Sequence, residues 1–350
     1  MARCTVCGSN LAEAAHSCPD CGTALRTAPL GPTPEATGAS ISTEPSVLQA
    51  IKLPPPEVRQ SQNDIKGGRS LPYQAQISRQ NPSCILFLVD QSGSMSDPLG
   101  GHSGRSKADG LADAINRLLL ELTIRCTKNQ SEGIRNYYDV GVLGYGKQVG
   151  SAWGGSLAQR VLVPISDVGN NPAKVDERKR KVEDGADGLV EETIKMPVWF
   201  YPVASSGTPM CEALRQSQVI LQDWISAHQD SFPPMVINIT DGEATDGDPV
   251  PVAEHLKQLA TQDGNLLLFN LHLSSHAGPS VQYPDSEAVL LDEFAVQLFR
   301  MSSVLPPHVQ SAVAAEGYTV SPQARGFVFN AGIVEVIKFL SIGTQAKELR

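Results

Sequence analysis

From residue 81 onward, short and uniformly apolar runs alternate with segments whose apolar residues recur at helical spacing. Cys84–Val89 contains no charged residue, as expected of a strand buried on both faces. Leu111–Leu122 has apolar residues three and four positions apart, which predicts a helix. Strands that are apolar throughout and alternate with helices are typical of a mostly parallel sheet covered on both faces. The sequence therefore predicts an α/β, doubly wound fold.

The same alternation continues to residue 340. Further strands are predicted at Tyr137–Tyr145, Gln159–Val163, Met235–Thr240, Asn265–His272 and Gly326–Phe329, and further helices over 210–224, 252–259 and 287–301. A dense run of mixed charge, Lys174–Asp184, interrupts this pattern. Because both signs are interleaved, the run is predicted to be a solvated insertion, with a partner-binding surface as the alternative.

Composition divides the chain into three segments. Apolar residues make up 41% of the 350 residues, enough for one large or two ordinary domains. Residues 27–80 are rich in Pro, Ser, Thr, Gln and Gly and bury too little apolar surface to fold, so they are predicted to be a flexible linker. The predicted organisation is a small cysteine-paired module at 1–26, this linker, and the α/β domain at 81–345.

Charge and apolar runs exclude several classes of partner. The formal net charge is −9, which argues against nucleic acid as a ligand of the whole chain. No apolar run approaches the ~18 residues of a membrane helix. The first 25 residues carry two cysteine pairs and no continuous apolar stretch, so we expect no signal peptide and no membrane association. The expected location is the cytoplasm.

Four cysteines near the N-terminus form two C-x-x-C-G knuckles, Cys4 with Cys7 and Cys18 with Cys21, separated by ten residues. Four thiolates at this spacing predict a tetrahedral Zn²⁺ site with no open position, hence a structural one. The segment resembles a zinc ribbon. A redox dithiol is the alternative, and the duplicated knuckles argue against it. Because the segment is charge-neutral and lacks aromatic residues, docking to a protein is favoured over binding to nucleic acid.

Oxygen-bearing side chains follow two of the predicted strands. Asp90, Ser92 and Ser94 come directly after the first strand, and Asp241 follows the strand that ends at Thr240. In a parallel sheet both strand ends open at the same edge. Thr208, which opens the helix before the second of these strands, can add a third hydroxyl.

Carboxylates and hydroxyls in this combination suit Mg²⁺, which takes six oxygen ligands in an octahedron. Two carboxylates balance its charge, and any unfilled position would accept an anionic oxygen. The alternative is that these residues are ordinary turn and capping residues, which leaves their convergence unexplained. Glu243 and Asp246 are expected to be solvated turn charges. The hypothesis requires Thr208 within ~10 Å of the two aspartates and no lysine ammonium filling the space between them.

The pattern resembles the von Willebrand factor A domain and its metal-ion-dependent adhesion site, over about residues 81–345. The shared features are the Asp-x-Ser-x-Ser turn, the Gly-Thr-Pro loop and the Thr-Asp-Gly turn. The resemblance implies Mg²⁺ or Mn²⁺ at the site and a Glu or Asp of a partner protein as the guest. It is closest to intracellular bacterial members associated with tellurium resistance and stress, which are thought to work beside protein kinases and phosphatases.

We therefore predict an adaptor for metal-dependent protein–protein interaction, and no enzyme, because no catalytic constellation emerges from the sequence. One alternative is a Mg²⁺-dependent hydrolase with phosphoesters as substrates, for which Glu243 is the only nearby candidate base. A second alternative is a protein that associates with nucleic acid through the ribbon, with binding that depends strongly on salt.

Overall fold

The computed structural model describes residues 72–101, 104–128, 132–183, 189–273, 279–290 and 292–343. All of them belong to the second of the two units into which the chain divides, Ser70–Arg350. The predicted zinc ribbon with Cys4, Cys7, Cys18 and Cys21 lies outside the described residues, as does the predicted linker up to residue 71.

The described elements follow one another along the chain as a mixture of strands and helices. The strands are β1 Ser83–Asp90, β2 Tyr138–Tyr145, β3 Val149–Ser151, β4 Leu162–Pro164, β5 Lys174–Glu183, β6 Leu189–Val198, β7 Met235–Thr240, β8 Ala260–Thr261, β9 Gly264–Asn265, β10 Leu267–Leu273, β11 Val281–Gln282 and β12 Phe327–Ala331. The helices are α1 Lys107–Arg125, α2 Ile165–Asn170, α3 Met210–Ala227, α4 Pro249–Leu256, α5 Glu293–Met301, α6 Pro307–Ala315 and α7 Ile333–Gly343. Within the described residues, none of these helices is both long and apolar enough to cross a bilayer.

The central sheet has eight strands and is mostly parallel. Its order is β11-β12-β10-β7-β1-β2-β3, with β4 also paired to β2. The five strands β1, β2, β7, β10 and β12 run parallel, while β3, β4 and β11 pair antiparallel at the two ends. Numbered in chain order, the five parallel strands have the spatial order 2-1-3-4-5. The direction of winding therefore reverses between β1 and β7.

Both faces of this sheet are covered, which is why its strands are apolar throughout. In β1, Ile85, Phe87 and Val89 belong to the core on one face, and the residues that alternate with them belong to the core on the other. The first core also contains apolar residues of α1, α2, α6 and α7, and the second those of α3, α4 and α5. The predicted α/β fold with a mostly parallel sheet is confirmed.

Four buried polar side chains form a row of hydrogen bonds across the face of the sheet that α3, α4 and α5 cover. The Tyr145 hydroxyl donates to Asn238 Oδ1 at 2.7 Å, and Asn238 Nδ2 donates to Asn270 Oδ1 at 2.9 Å. Asn270 Nδ2 in turn donates to the Ser302 hydroxyl at 2.9 Å. Both asparagines are fully buried, so their amide groups depend on these partners. The chain of bonds links β2, β7 and β10 to the residue that follows α5.

Most strand predictions agree with the structure to within a few residues, and Met235–Thr240 agrees at both ends. The predicted strand Gln159–Val163 overlaps β4 only at its end, and β4 pairs antiparallel with β2. The predicted helix over 287–301 is broken, because Asp292 caps α5 by accepting the backbone N–H groups of Phe294 and Ala295. A side chain that caps a helix start ends any helical segment before it.

The mixed-charge run, as far as residue 183, is one strand of a β-hairpin. Lys174–Glu183 forms β5 and pairs antiparallel with β6 over its whole length. The hairpin is fixed to α1 through Arg178 in the middle of β5, which forms an ion pair with Asp113, and Asp113 also pairs with Arg105. Lys174 and Lys179 are exposed, as predicted for this run. The sequence analysis missed the hairpin because interleaved charges resemble a loop until the partner strand is known.

The last residues of the predicted linker belong to the folded domain. The carboxylate of Asp263 accepts the N–H groups of Gln74 and Ala75 at 2.8 and 2.9 Å, and its carbonyl accepts that of Tyr73 at 2.7 Å. Ile77 is buried in the core. The folded domain therefore begins before the predicted boundary at residue 81.

Candidate metal centre

Two acidic turns meet where the winding of the sheet reverses. Asp90 is the last residue of β1, and Asp241 follows the last residue of β7. These strands are hydrogen-bonded neighbours, with Val89 aligned to Ile239. In open α/β sheets, ligands bind in the crevice beyond the carboxyl ends of the strands at this switch point. The predicted acidic residues therefore lie at the position where such a fold offers a site.

A buried methionine anchors the turn after β1 that carries the two serines. Gly93–Ser96 forms one 3₁₀ turn, and Met95 within it is fully buried. The N–H of Ser92 donates to Asp90 Oδ1 at 2.8 Å, which ties the start of the turn to the strand end. Local packing and this hydrogen bond fix the backbone from which the hydroxyls of Ser92 and Ser94 extend.

Three side-chain oxygens form a triangle at this edge. Ser92 Oγ and Ser94 Oγ are 3.1 Å apart, and they lie 3.5 and 2.9 Å from Asp241 Oδ1. An octahedron with metal–oxygen bonds of about 2.0–2.1 Å has edges of about 2.9 Å, as follows from the preferred coordination of Mg²⁺. The three oxygens are therefore spaced like one slightly widened face of such an octahedron. As a donor set they fit a hard divalent cation.

Asp90 is the second carboxylate of the centre and is fully buried. Thr240, which the sequence analysis did not single out, donates its hydroxyl to Asp90 Oδ2 at 2.7 Å. Burial raises the pKa of Asp90 to about 6, although the hydrogen bonds from Thr240 and Ser92 act in the opposite direction. The nearby Asp241 raises this pKa further. An ionised Asp90 thus lacks a full counter-charge and favours a cation beside it.

The raised pKa of Asp90 predicts a pH dependence of stability in Mg²⁺-free buffer. In the unfolded chain an aspartate titrates near pH 3.9, so the folded state binds this proton more tightly. The corresponding stability is fully present below about pH 4 and lost as the pH rises through about 6, a change of about 2–3 kcal/mol. Urea unfolding of the wild type and Asp90→Asn at pH 4, 5, 6 and 7 measures it. Equal slopes for the two proteins would contradict the assignment to Asp90.

Thr208 is held in a loop between the two acidic turns. Its N–H donates to the Thr245 hydroxyl at 3.0 Å, and its carbonyl accepts the N–H of Thr245 at 2.9 Å. Three residues earlier, the N–H of Ser205 donates to the carbonyl of Gln91 at 2.6 Å. Thr208 is buried, and its hydroxyl forms no hydrogen bond with Asp90, Ser92, Ser94 or Asp241. The loop is therefore attached to both turns, and Thr208 stays a predicted ligand.

Asp246 has a structural role that the sequence analysis did not predict. The residue at the N-cap position of α3 is Pro209, whose side chain cannot accept a hydrogen bond. Asp246 supplies the cap instead, accepting the N–H groups of Cys211 and Glu212 at 3.0 and 2.8 Å. Glu243 is exposed, as expected, and forms no hydrogen bond or ion pair with a residue that the structure describes.

Lys107, like Thr240, is a residue of this centre that was not predicted from the sequence. Its ammonium lies 2.7 Å from Asp241 Oδ2 and 3.3 Å from the carbonyl oxygen of Ser94, and its side chain is 3% exposed. The lysine contacts Oδ2, whereas the two serine hydroxyls face Oδ1. A lysine ammonium therefore does lie against one of the two aspartates: it partly neutralises Asp241 and forms no ion pair with Asp90. A lysine at the first position of a helix, between the capping residues Ser106 and Asp109, was the available signal.

The described residues contain no metal site built only from His, Cys, Asp and Glu side chains. The described residues contain no group of three or more His, Cys, Asp or Glu side chains that could hold a metal ion. The candidate centre has two carboxylates and would depend on hydroxyl oxygens for its remaining protein ligands.

Comparisons with known proteins add little to this geometry. No protein-family profile matches the chain, and no curated protein matches it. Among solved structures, the chain is similar to the adhesive tip pilin GBS104 from Group B Streptococcus agalactiae, with 12% identity over 70% of this chain and 72% of that one. The TM-score of this match is 0.23.

Proposed function

We propose that this protein captures an acidic residue of a partner protein at a divalent metal ion, Mg²⁺ or Mn²⁺, as its resemblance to von Willebrand factor A domains implies. Asp90, Ser92, Ser94, Thr208 and Asp241 would hold the ion. The observation that carries the proposal is the spacing of Ser92 Oγ, Ser94 Oγ and Asp241 Oδ1 at the switch point of the sheet.

The metal, when bound, would supply a Lewis-acidic position for one carboxylate oxygen of the partner. The residues of this chain set where that position lies. Thr240 and the N–H of Ser92 orient the Asp90 carboxylate, and the buried Met95 fixes the turn that carries the serines. Because these contacts order the site before the partner binds, binding does not have to supply the free energy of ordering it.

The proposal also assigns a structural zinc site to the four cysteines of the N-terminal region. Cys4, Cys7, Cys18 and Cys21 would bind a structural Zn²⁺, and the ribbon around it would dock a second component. The spacing of the four cysteines supports this. A cytoplasmic adaptor of a bacterial stress or signalling assembly, with protein kinases and phosphatases as neighbours, is the context that the family resemblance implies.

Metal binding is tested with the full-length, zinc-loaded protein, freed of Mg²⁺ by gel filtration. We expect Mn²⁺ titrations followed by electron paramagnetic resonance to show one site with a Kd below ~1 mM, and competition by Mg²⁺. Ser94→Ala should weaken Mn²⁺ binding at least about tenfold. The matched control is Ser96→Ala in the same turn, whose exposed hydroxyl bonds only the carbonyl of Gly93. Absence of a Mn²⁺ site in the wild type, or equal effects of the two variants, would contradict the proposal.

Partner capture is tested with the same pair of variants in Mg²⁺ buffer, so that the zinc site stays intact. A specific partner retained by the wild type and Ser96→Ala, and lost with Ser94→Ala, is the expected result. The hydrolase alternative is tested by Glu243→Gln: phosphoester turnover that this variant abolishes, with no partner lost in Ser94→Ala, would replace the capture proposal.

A further inference from the structure

We propose that Lys107 determines the charge of the metal centre: it pairs with Asp241 when no metal is bound, and it makes the metal-loaded centre cationic, so that the centre selects an anionic guest. This inference rests on the proposed function. It concerns a residue that neither the sequence pattern nor the family resemblance pointed to.

The position of Lys107 is unusual for a lysine. It is the first residue of α1, and its side chain is almost entirely buried. Lysine side chains are almost never fully buried unless paired, and the N-terminal end of a helix disfavours a cation because of the helix dipole. Both costs are offset where a buried carboxylate accepts the ammonium, as Asp241 does at 2.7 Å. The placement is therefore explained by the pairing with Asp241 and by no feature of the helix itself.

The charged groups around this pair can be counted. Asp90 and Asp241 contribute two negative charges, and Lys107 contributes one positive charge. Asp97 lies 3.7 Å from the Lys107 ammonium, but its side chain is 53% exposed and water screens it. The two buried carboxylates and the lysine therefore leave a net charge of −1 in the metal-free centre.

Binding of a divalent cation changes this charge from −1 to +1. Without Lys107, the same event would change it from −2 to 0. In a partly buried site each unit charge acts at a low effective dielectric constant. The one unit of charge that Lys107 adds therefore has a large effect on the affinity for the cation and on the affinity for its guest. Lys107 thus makes metal binding weaker and anion binding stronger, two effects of opposite sign from one side chain.

The test uses the full-length protein and two probes, Mn²⁺ and acetate. Mn²⁺ affinity is measured by electron paramagnetic resonance, and acetate affinity by the broadening of its methyl proton resonance by protein-bound Mn²⁺. For Lys107→Met we expect Mn²⁺ to bind at least about tenfold more tightly and acetate at least about fivefold more weakly. Lys107→Arg keeps the charge and should stay within about threefold of the wild type on both probes.

The control is Lys147→Met, an exposed lysine whose backbone N–H bonds the Ser205 hydroxyl on the same side of the sheet. It should leave both affinities unchanged. A purely structural lysine would, on removal, weaken both affinities together, and that result would overturn the inference, as would no change in either. If Lys107→Met does not fold, Lys107→Gln carries the same expectations. A wild type without Mn²⁺ binding contradicts the proposed function, whereas Mn²⁺ binding without the opposed shifts contradicts only the role of Lys107.

Discussion

Asp241→Ala is expected to lower the free energy of unfolding by about 3–5 kcal/mol in Mg²⁺-free buffer. The substitution leaves the Lys107 ammonium buried at the start of α1 without its closest counter-charge. The cost of an unpaired buried charge exceeds the modest net gain of the pair itself. Urea unfolding at pH 7, followed by circular dichroism, measures the difference.

A double-mutant cycle separates the pair from the packing around it. Lys107→Met alone should also destabilise the protein, since Asp241 then lacks its cation. The double variant Lys107→Met/Asp241→Ala should recover much of the loss, because no buried charge is left unpaired. Strict additivity of the two single losses would show that the ion pair is not what stabilises this part of the fold.

Gly326→Ala is expected to destabilise the protein by about 2–3 kcal/mol. A Cβ atom at this position would lie 2.1 Å from Cδ1 of Phe269, whose ring is buried in the core. The ring cannot retreat easily, because it packs edge-on against Phe339 at a centroid distance of 6.3 Å. The backbone of Gly326 is also fixed, as its carbonyl accepts the N–H of Asn270. Overpacking at this point forces β10 and the residues before β12 apart.

The matched control for this prediction is Gly150→Ala in β3. A Cβ atom there meets nothing within 4 Å, so the change in stability should stay within about 0.5 kcal/mol. If the two alanine variants unfold at the same denaturant concentration, the close approach of Gly326 to the Phe269 ring is not a determinant of stability.

The sequence sufficed to predict the parallel sheet and the convergence of four site residues, for a physical reason. Strands buried on both faces must be apolar throughout, so runs such as Met235–Thr240 stand out. Parallel pairing then brings the residues after β1 and β7 to one edge whatever the loops do. Asp90, Ser92, Ser94 and Asp241 are neighbours for this reason, and the identity of the ligand they hold stays a prediction.

The features that were missed depend on contacts between residues far apart in the chain. Lys107 reaches Asp241 across 134 positions, and Asp246 caps a helix that begins 36 positions earlier. The pairing of β5 with β6 gives a charged run an extended conformation that its composition does not favour. Capping, ion pairing and strand pairing across such distances follow from the fold and leave little trace in local patterns.

The two buried asparagines have a consequence for how the sheet is aligned. A strand that is apolar on both faces can slide by two residues and still place apolar side chains on each side. Asn238 and Asn270 are aligned partners, and Asn238 also bonds Tyr145 across β1. If β7 moved along its neighbours, these amide groups would lose their hydrogen-bond partners, at a cost of about 1–3 kcal/mol for each. The asparagines therefore favour a single register of β7. This register also sets the position of Asp241 relative to Asp90 at the edge of the sheet.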